Sequence, residues 1–288
     1  MDLFRKVKIR MSSLTQSELQ QLQDTARCIR GHIVRTISHA GVGHPGGSLS
    51  ATDILTTLYF HVMNVDPKNP NMPERDRFVL SKGHGAVGLY STLAERGFFP
   101  AEQLKSFGCI DSILQVHPDM HLLPGVEIST GALGQGISVA VGLALAGKLD
   151  KAPWRVYCVV GDGESQEGQV WEAAESAAQF GLDNLTVILD NNGVQLMGKT
   201  DEVMRMEPQV DKWRAFNWNV IDVDGHDIAA LAAAFDLAQT VKGKPTVLVA
   251  RTVKGKGVSF MEGKSAWHGK SPDAEQLAQA LQELGCEA

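Results

Sequence analysis

The second half of the chain alternates short, continuously apolar runs with segments of helical period. RVYCVVG is followed by QVWEAAESAAQFG, in which Val170, Ala173, Ala174, Ala177 and Ala178 share one face. Then come LTVILD, a loop with a helix around DKWRAF, NVIDVD, DIAALAAAFDLAQTV, PTVLVARTV and a closing amphipathic helix, PDAEQLAQALQELG. Strands without polar alternation are buried on both faces, and strands separated by helices pair in parallel. The pattern therefore predicts an α/β fold: a parallel sheet with helices on both faces.

The first half fits the same plan. SELQQLQDTARCIRGHIVRTISH places Leu19, Leu22, Ala26, Ile29, Ile33 and Ile37 at helical spacing and ends at the Gly/Pro turn GVGHPGGS. Ser50 or Thr52 is expected to cap the next helix, through ILTTLYFHV. RFVL reads as a strand, SKGHG as a turn and AVGLYSTLAERG as a helix; from Gly134 another helix carries Ile137, Ala140, Val141, Ala144 and Leu145. No linker divides the chain, so residues 15–288 are expected to form one domain behind a flexible extension, residues 1–14.

At 288 residues and 43% hydrophobic content the chain can bury a large core. A net charge of -6 argues against a nucleic-acid partner. No apolar run approaches a membrane span, and MDLFRKVKIRM has no signal-peptide core. Cys28, Cys109, Cys158 and Cys286 lie far apart without a C-x-x-C, which reads as reduced thiols in a cytoplasmic protein rather than a disulfide frame or zinc site.

The unusual feature is GDGESQEG, residues 161–168, where a buried strand gives way to a helix amid acids. Ligands of parallel sheets sit beyond the strand carboxyl ends. Glycines and free helical N–H groups there suit a phosphate, which Asp162 would repel unless a divalent cation lay between. Mg²⁺ takes oxygen ligands and bridges carboxylates to phosphates. LTVILD runs into DNNGVQ, placing Asn192 thirty residues on, the length of a strand–helix–strand unit. Asp162 and Asn192 can thus meet, with a main-chain carbonyl as third donor. Either GDG or NNG alone is usually just a turn; the spaced pair is far more specific.

GDG followed by NN resembles the thiamine diphosphate motif. GDGESQEGQVWEAA, STGALGQGISVAVGLALA, VGHPGG and SKGHGAVGLYS together resemble the N-terminal, diphosphate-binding domain of transketolases, over nearly the whole chain from about residue 15. The resemblance implies a thiamine diphosphate-binding fold of the PP type. It implies Mg²⁺, with Ca²⁺ as the alternative, on Asp162, Asn192 and the carbonyl of Val194, completed by two diphosphate oxygens and a water. Gly163 and Glu164 would offer backbone N–H groups to the diphosphate. Gly131 and Leu133, in TGALGQG, would contact the aminopyrimidine; Ala132 stands where relatives commonly have Pro. The glycines also suit a dinucleotide loop, but no clear strand precedes them.

Four of nine histidines sit in Gly/Pro turns. By the resemblance His84 and His268 lie near the diphosphate, while His44 and His117 hydrogen-bond sugar hydroxyls and support proton transfers; Pro-Asp follows His117 where many relatives have Pro-Glu. Glu167 corresponds to a glutamate assigned to a proton relay between paired active sites, against the plainer reading of a carboxylate at a helix N-terminus. Glu172 and Glu175 read as solvated, Lys254 and Lys256 as surface charges, His226 as a turn former, and His32, His39 and His61 as surface or packing residues.

Transketolases are ordinarily more than twice this length. Their second domain carries the glutamate that activates the pyrimidine, and nothing here replaces it. The expectation is therefore the N-terminal subunit of a split transketolase, moving a two-carbon ketol unit between sugar phosphates, with a separate C-terminal subunit in an α2β2 assembly. The alternatives are an α-type subunit of a 2-oxo acid dehydrogenase, a deoxyxylulose phosphate synthase, or a non-catalytic relic. GHPGG, KGHG and HPD point away from the first.

Overall fold

The computed structural model describes residues 14–287, so the expected extension lies, but for Leu14, outside the described residues. Among them, strands β1 (Arg77–Leu80), β2 (Val156–Gly161), β3 (Leu185–Asn191), β4 (Asn219–Asp224) and β5 (Thr246–Arg251) form one sheet in the order β1-β2-β3-β5-β4. Every pairing is parallel, as the alternating sequence predicts.

Burial follows position in the sheet. β2 is buried along its whole length, and β3 and β5 at all but their last residue. Edge strand β4, NVIDVD, alternates instead, with Asp222 and Asp224 exposed. Side chains leave a strand on alternate sides, and two cores result. Tyr157, Val159, Ile188 and Leu248 enter one; Val156, Cys158, Val160, Val187 and Val249 enter the other.

The first core is roofed by α1 (Gln16–Ala40), α4 (Ala86–Arg96) and α9 (Ile228–Thr240), the second by α5 (Gln135–Leu149) and α6 (Gly168–Gln179). Helix α1 opens on a capping box between Thr15 and Glu18 and stops at Gly41, whose left-handed backbone (φ 69°) ends the helix. Its Leu22, Ala26, Ile29, Ile33 and Ile37 are buried, as their spacing predicts. Short helices α7 (Thr200–Val203) and α8 (Gln209–Ala215) precede β4, and α10 (Ala274–Glu283) packs on α1.

The expected helix capped by Ser50 or Thr52 is corrected. The chain turns helical earlier, in α2 (Pro45–Ser50), with Pro45 in the first turn, and continues in α3 (Thr52–Thr57) and a wider turn over Leu58–Val62. Proline's fixed φ favours this start. The two hydroxyls cap nothing: Ser50 Oγ donates to Asp190 Oδ2 (2.6 Å), and Thr52 Oγ1 to the Ser48 carbonyl (3.1 Å). No helix among the described residues is long and apolar enough to cross a membrane.

Candidate active site at the strand carboxyl ends

The tips of β2 and β3 touch. Asp162, 2% exposed, follows β2 directly. Its Oδ1 accepts the Gly163 N–H (2.7 Å) and its Oδ2 the Gly193 N–H (2.5 Å), so it reaches into the NNG turn after β3. Asn192 Oδ1 accepts the Val194 N–H (3.1 Å). The two strand ends expected to share a cation are therefore adjacent. The candidate donors are a carboxylate, an amide oxygen and a main-chain carbonyl, all hard oxygens that fit Mg²⁺ or Ca²⁺.

Four ionisable groups crowd behind this point. Asp190, fully buried, accepts from Ser50 and Thr252 hydroxyls and pairs with the equally buried Lys82, whose Nζ also donates to the Gly47 carbonyl (2.8 Å). Burial would raise the Asp190 carboxyl, but the Lys82 ammonium and the hydrogen bonds outweigh it and hold it low. Asp162 has less support: burial, then the Asp190 charge, pushes it up to about 6. Lys254 is pulled down to about 8 by burial and then by Lys82.

Lys254 overturns its sequence reading as a surface charge. It is 2% exposed, and its Nζ donates to Val194 O (3.0 Å) and lies 2.9 Å from His268 Nδ1. Its loop, VKGKG, folds over the GHPGG turn, with the Gly255 N–H donating to Gly46 O (3.0 Å). Lysine next to a glycine ordinarily marks an exposed loop; only this long-range contact buries it. Lys256 does stay at the surface, 3.6 Å from Glu262.

The histidines of the four separate turns converge. Ring centroids of His44 lie 5.4 Å from His84, 5.4 Å from His268 and 6.2 Å from His117, and His84 lies 5.0 Å from His268. Burial, then Lys82, holds His84 well below the usual imidazole range. Burial, then Lys254, brings His268 down to about 3. Burial, then His117 and Lys254, lowers His44. These three rings are thus neutral near pH 7, each able to donate one hydrogen bond and accept another. His44 Nδ1 and Thr130 Oγ1 are buried without a hydrogen-bond partner among the described residues. Both atoms are free to hydrogen-bond a polar ligand.

The TGALGQG loop closes one side. Thr130 N–H donates to Pro118 O (3.3 Å), and a Cβ on Gly131 would lie 3.2 Å from the His117 ring. At Gly83 a Cβ would fall 2.6 Å from the Gly131 nitrogen, so the SKGHG and TGALGQG turns can touch only through glycine. Leu133 is partly exposed on this loop.

Glu164 does more than its sequence reading allowed. Its side chain, 2% exposed, accepts from Ser81 Oγ (2.6 Å), Gly134 N–H (3.0 Å) and Gly161 N–H (2.9 Å), tying the ends of β1 and β2 to the TGALGQG loop. No local pattern signals a carboxylate serving two remote segments as well as its own turn. His226 sits in a turn, as its sequence reading has it, with its N–H donating to Asp224 Oδ1 (2.8 Å), and it does more: its Nδ1 lies 2.8 Å from Asp53 Oδ2 and its Nε2 accepts the Val253 N–H (2.8 Å). Asp53 in turn pairs with Arg30, a network that anchors the strand leading into VKGKG. Glu167 is exposed at the N-terminus of α6 and makes no capping bond; its Cβ approaches Gly134. Glu172 and Glu175 are exposed, as expected.

Residues 21–288 match the family described as transketolase, thiamine diphosphate binding domain. The chain is 46% identical over 263 residues to the 6-deoxy-6-sulfo-D-fructose transketolase subunit SqwG of Clostridium sp. (strain MSTE9), covering 91% of this chain and 96% of that protein. It is 44% identical over 269 residues to an apulose-4-phosphate transketolase subunit of Phocaeicola vulgatus, covering 93% and 95%. Against the Homo sapiens transketolase it is 41% identical over 93% of this chain but only 43% of that protein. Among solved structures, transketolase from Leishmania mexicana superposes with a TM-score of 0.87 at 32% identity, over 92% of this chain and 41% of that one. Transketolase from Campylobacter jejuni gives 0.86 at 34% identity, over 95% and 44%.

Proposed function

The chain belongs to the transketolase family, and from that premise we propose how its strand-end site serves ketol transfer. Relatives that it matches along nearly their whole length are themselves transketolase subunits, whereas it spans less than half of single-chain transketolases. It is the N-terminal subunit of a split transketolase, and its domain is a thiamine diphosphate-binding one.

In this reading Asp162, Asn192 and the Val194 carbonyl hold Mg²⁺, and Gly163 and Glu164 turn backbone N–H groups to the diphosphate. Lys254 already contacts Val194 O and adds positive charge beside the anion. His84 and His268 take up diphosphate oxygens; Gly131 and Leu133 flank the aminopyrimidine. Bound thiamine diphosphate would supply a stabilised carbanion equivalent that carries the two-carbon unit. The protein's own work is orientation and proton traffic. His44 and His117 hydrogen-bond donor-sugar hydroxyls, and His44 Nδ1 has no internal partner to give up. An imidazole that accepts a hydroxyl proton and returns it needs a neutral resting state, which burial provides for His44. Glu167, exposed beside Gly134, would carry the relay between sites across a subunit contact.

The partner is a C-terminal subunit supplying the pyrimidine-side glutamate, in an α2β2 assembly, with ketose and aldose phosphates as substrates. The single observation that carries the proposal is the convergence of His44, His84, His117 and His268 beside Asp162 and Lys254. GHPGG, KGHG and HPD, the motifs that set the chain apart from 2-oxo acid dehydrogenases, build this cluster. The test is titration of the assembled two-subunit enzyme with thiamine diphosphate and Mg²⁺. Asp162→Ala should abolish the Mg²⁺-dependent affinity; unchanged affinity would remove the metal assignment. Robust ketol transfer by this chain alone would refute the need for a partner.

A further inference from the structure

Where α1 packs beside α4, three side chains meet outside the cofactor site. Cys28 and His32 stand one helical turn apart, and Glu95 reaches them from the end of α4, 67 residues further along the chain than Cys28. Cys28 Sγ lies 3.6 Å from His32 Nε2 and 3.4 Å from Glu95 Oε2, and His32 Nε2 lies 3.5 Å from Glu95 Oε2. The three ligand atoms form a nearly equilateral triangle.

That triangle has the size of one face of a zinc tetrahedron. Zn–S of about 2.3 Å and Zn–N or Zn–O of about 2.0–2.1 Å, at tetrahedral angles, put sulfur about 3.5 Å from the other two donors and those about 3.4 Å apart. We propose that Cys28, His32 and Glu95 form a binding site for a thiophilic divalent cation, zinc by its ligand set, with a fourth position left to water. Thiolate, imidazole and carboxylate are the donors zinc prefers, and thiolate plus carboxylate balance its charge. Cys28 and Glu95 also line a surface cavity of about 570 Å³, which gives a fourth ligand room.

Without a cation the triangle is held by hydrogen bonds, the Cys28 thiol donating to Glu95. Burial, then the Glu95 charge, pushes that thiol up to about 11, so it is protonated. Zinc would take the proton's place, releasing it to solvent and exchanging two weak hydrogen bonds for coordinate bonds. The consequence is mechanical. α1 runs into the turn that carries His44, and α4 starts beside His84. A cation bridging the two helices would brace the framework behind both rings without touching them. The absence of a C-x-x-C hid this site from the sequence, because its third ligand comes from a different helix.

Cobalt(II) is the probe, because a cobalt–thiolate bond gives a near-ultraviolet charge-transfer band that histidine and carboxylate ligands do not. The full chain, reduced and metal-free, is titrated with Co²⁺ and then with Zn²⁺ as competitor. The histidine cluster at the strand ends could also take cobalt, but it contains no thiolate and stays silent in this band. The expected result is a thiolate band saturating at one equivalent, displaced by Zn²⁺ and lost in Cys28→Ser. It should persist in Cys109→Ser and Cys286→Ser, and be at least tenfold weaker in affinity in Glu95→Gln and His32→Gln. Circular dichroism of each variant checks that it is folded. No band in the parent chain, a band that survives Cys28→Ser, or an affinity indifferent to both Glu95→Gln and His32→Gln would overturn the proposal and leave only a hydrogen-bonded triangle.

Discussion

Replacing Lys254 by methionine should make the cofactor-free chain more stable and the assembled enzyme worse at binding its cofactor. Lys254 is 2% exposed, and its drop from 10.5 to about 8 means that folding disfavours its charged form. That difference is worth about 3 kcal/mol. Methionine has similar length and no charge, so it removes this cost; it also loses the contacts with Val194 O and His268 Nδ1, worth about 1 kcal/mol each. The net expectation is a gain of about 1 kcal/mol, or a rise in Tm of roughly 2–4 °C for a chain of this size. The effect has a definite pH dependence. A lysine whose folded value is lowered penalises the fold fully below about 8 and stops doing so once the unfolded chain also loses its proton near 10.5. The advantage of Lys254→Met should therefore be constant around pH 7 and shrink between pH 8 and 10.5. In the same variant, thiamine diphosphate binding with Mg²⁺ and the partner subunit should weaken by one to two orders of magnitude, the scale of one lost charge-assisted contact. Thermal melts across that pH range and calorimetric titration of the assembled enzyme read both effects. A variant that is less stable at pH 7, or that binds cofactor as well as the parent, would refute the view of Lys254 as a charge kept at a cost for an anionic ligand.

Asp162 gives the opposite pH signature. Its folded value of about 6 lies above the ordinary 3.8, so its ionised form costs the cofactor-free fold stability above pH 6, and that cost fades as pH falls toward 4. A cation needs the ionised form, so Mg²⁺-dependent cofactor affinity should decline as pH drops through 6, as fluorescence titration between pH 5 and 8 would show. Glu164→Gln should destabilise the chain by about 1–2 kcal/mol in chemical denaturation, because one of the three donors aimed at the carboxylate then meets an NH₂ group instead, partly offset by removal of a charge that burial disfavours. Cofactor affinity should fall in that variant as well, since the TGALGQG loop loses its tie to the tip of β2.

Much of the site is legible in the sequence. Asp162 and Asn192 sit at the ends of apolar strands one crossover apart, and the tips do meet, through Gly193. The four histidines stand out by their Gly/Pro turns, and all four rings gather at one point. Lys254 misleads, and the fuller roles of Glu164 and His226 stay hidden, for a shared reason. Each acts on partners distant along the chain: Val194, Ser81 and Gly134, and Asp53. Their neighbours in sequence make a glycine-flanked lysine look like a surface charge, and show only the backbone of the acid after GDG and the turn around the histidine. Ser50 and Thr52 mislead similarly, because a hydroxyl before an apolar helix looks like a cap whether or not a buried aspartate waits across the fold.

The sequence by itself determined the parallel sheet, the helices that cover it and the strand ends where a ligand must lie. These depend on short-range periodicity and on which residues tolerate burial, and both are written locally. Tertiary structure alone decided which charges are buried, which carboxylate braces the site and that Cys28, His32 and Glu95 meet. A side chain's ionisation and partners depend on what the fold packs around it, and residues far apart along the chain supply those surroundings.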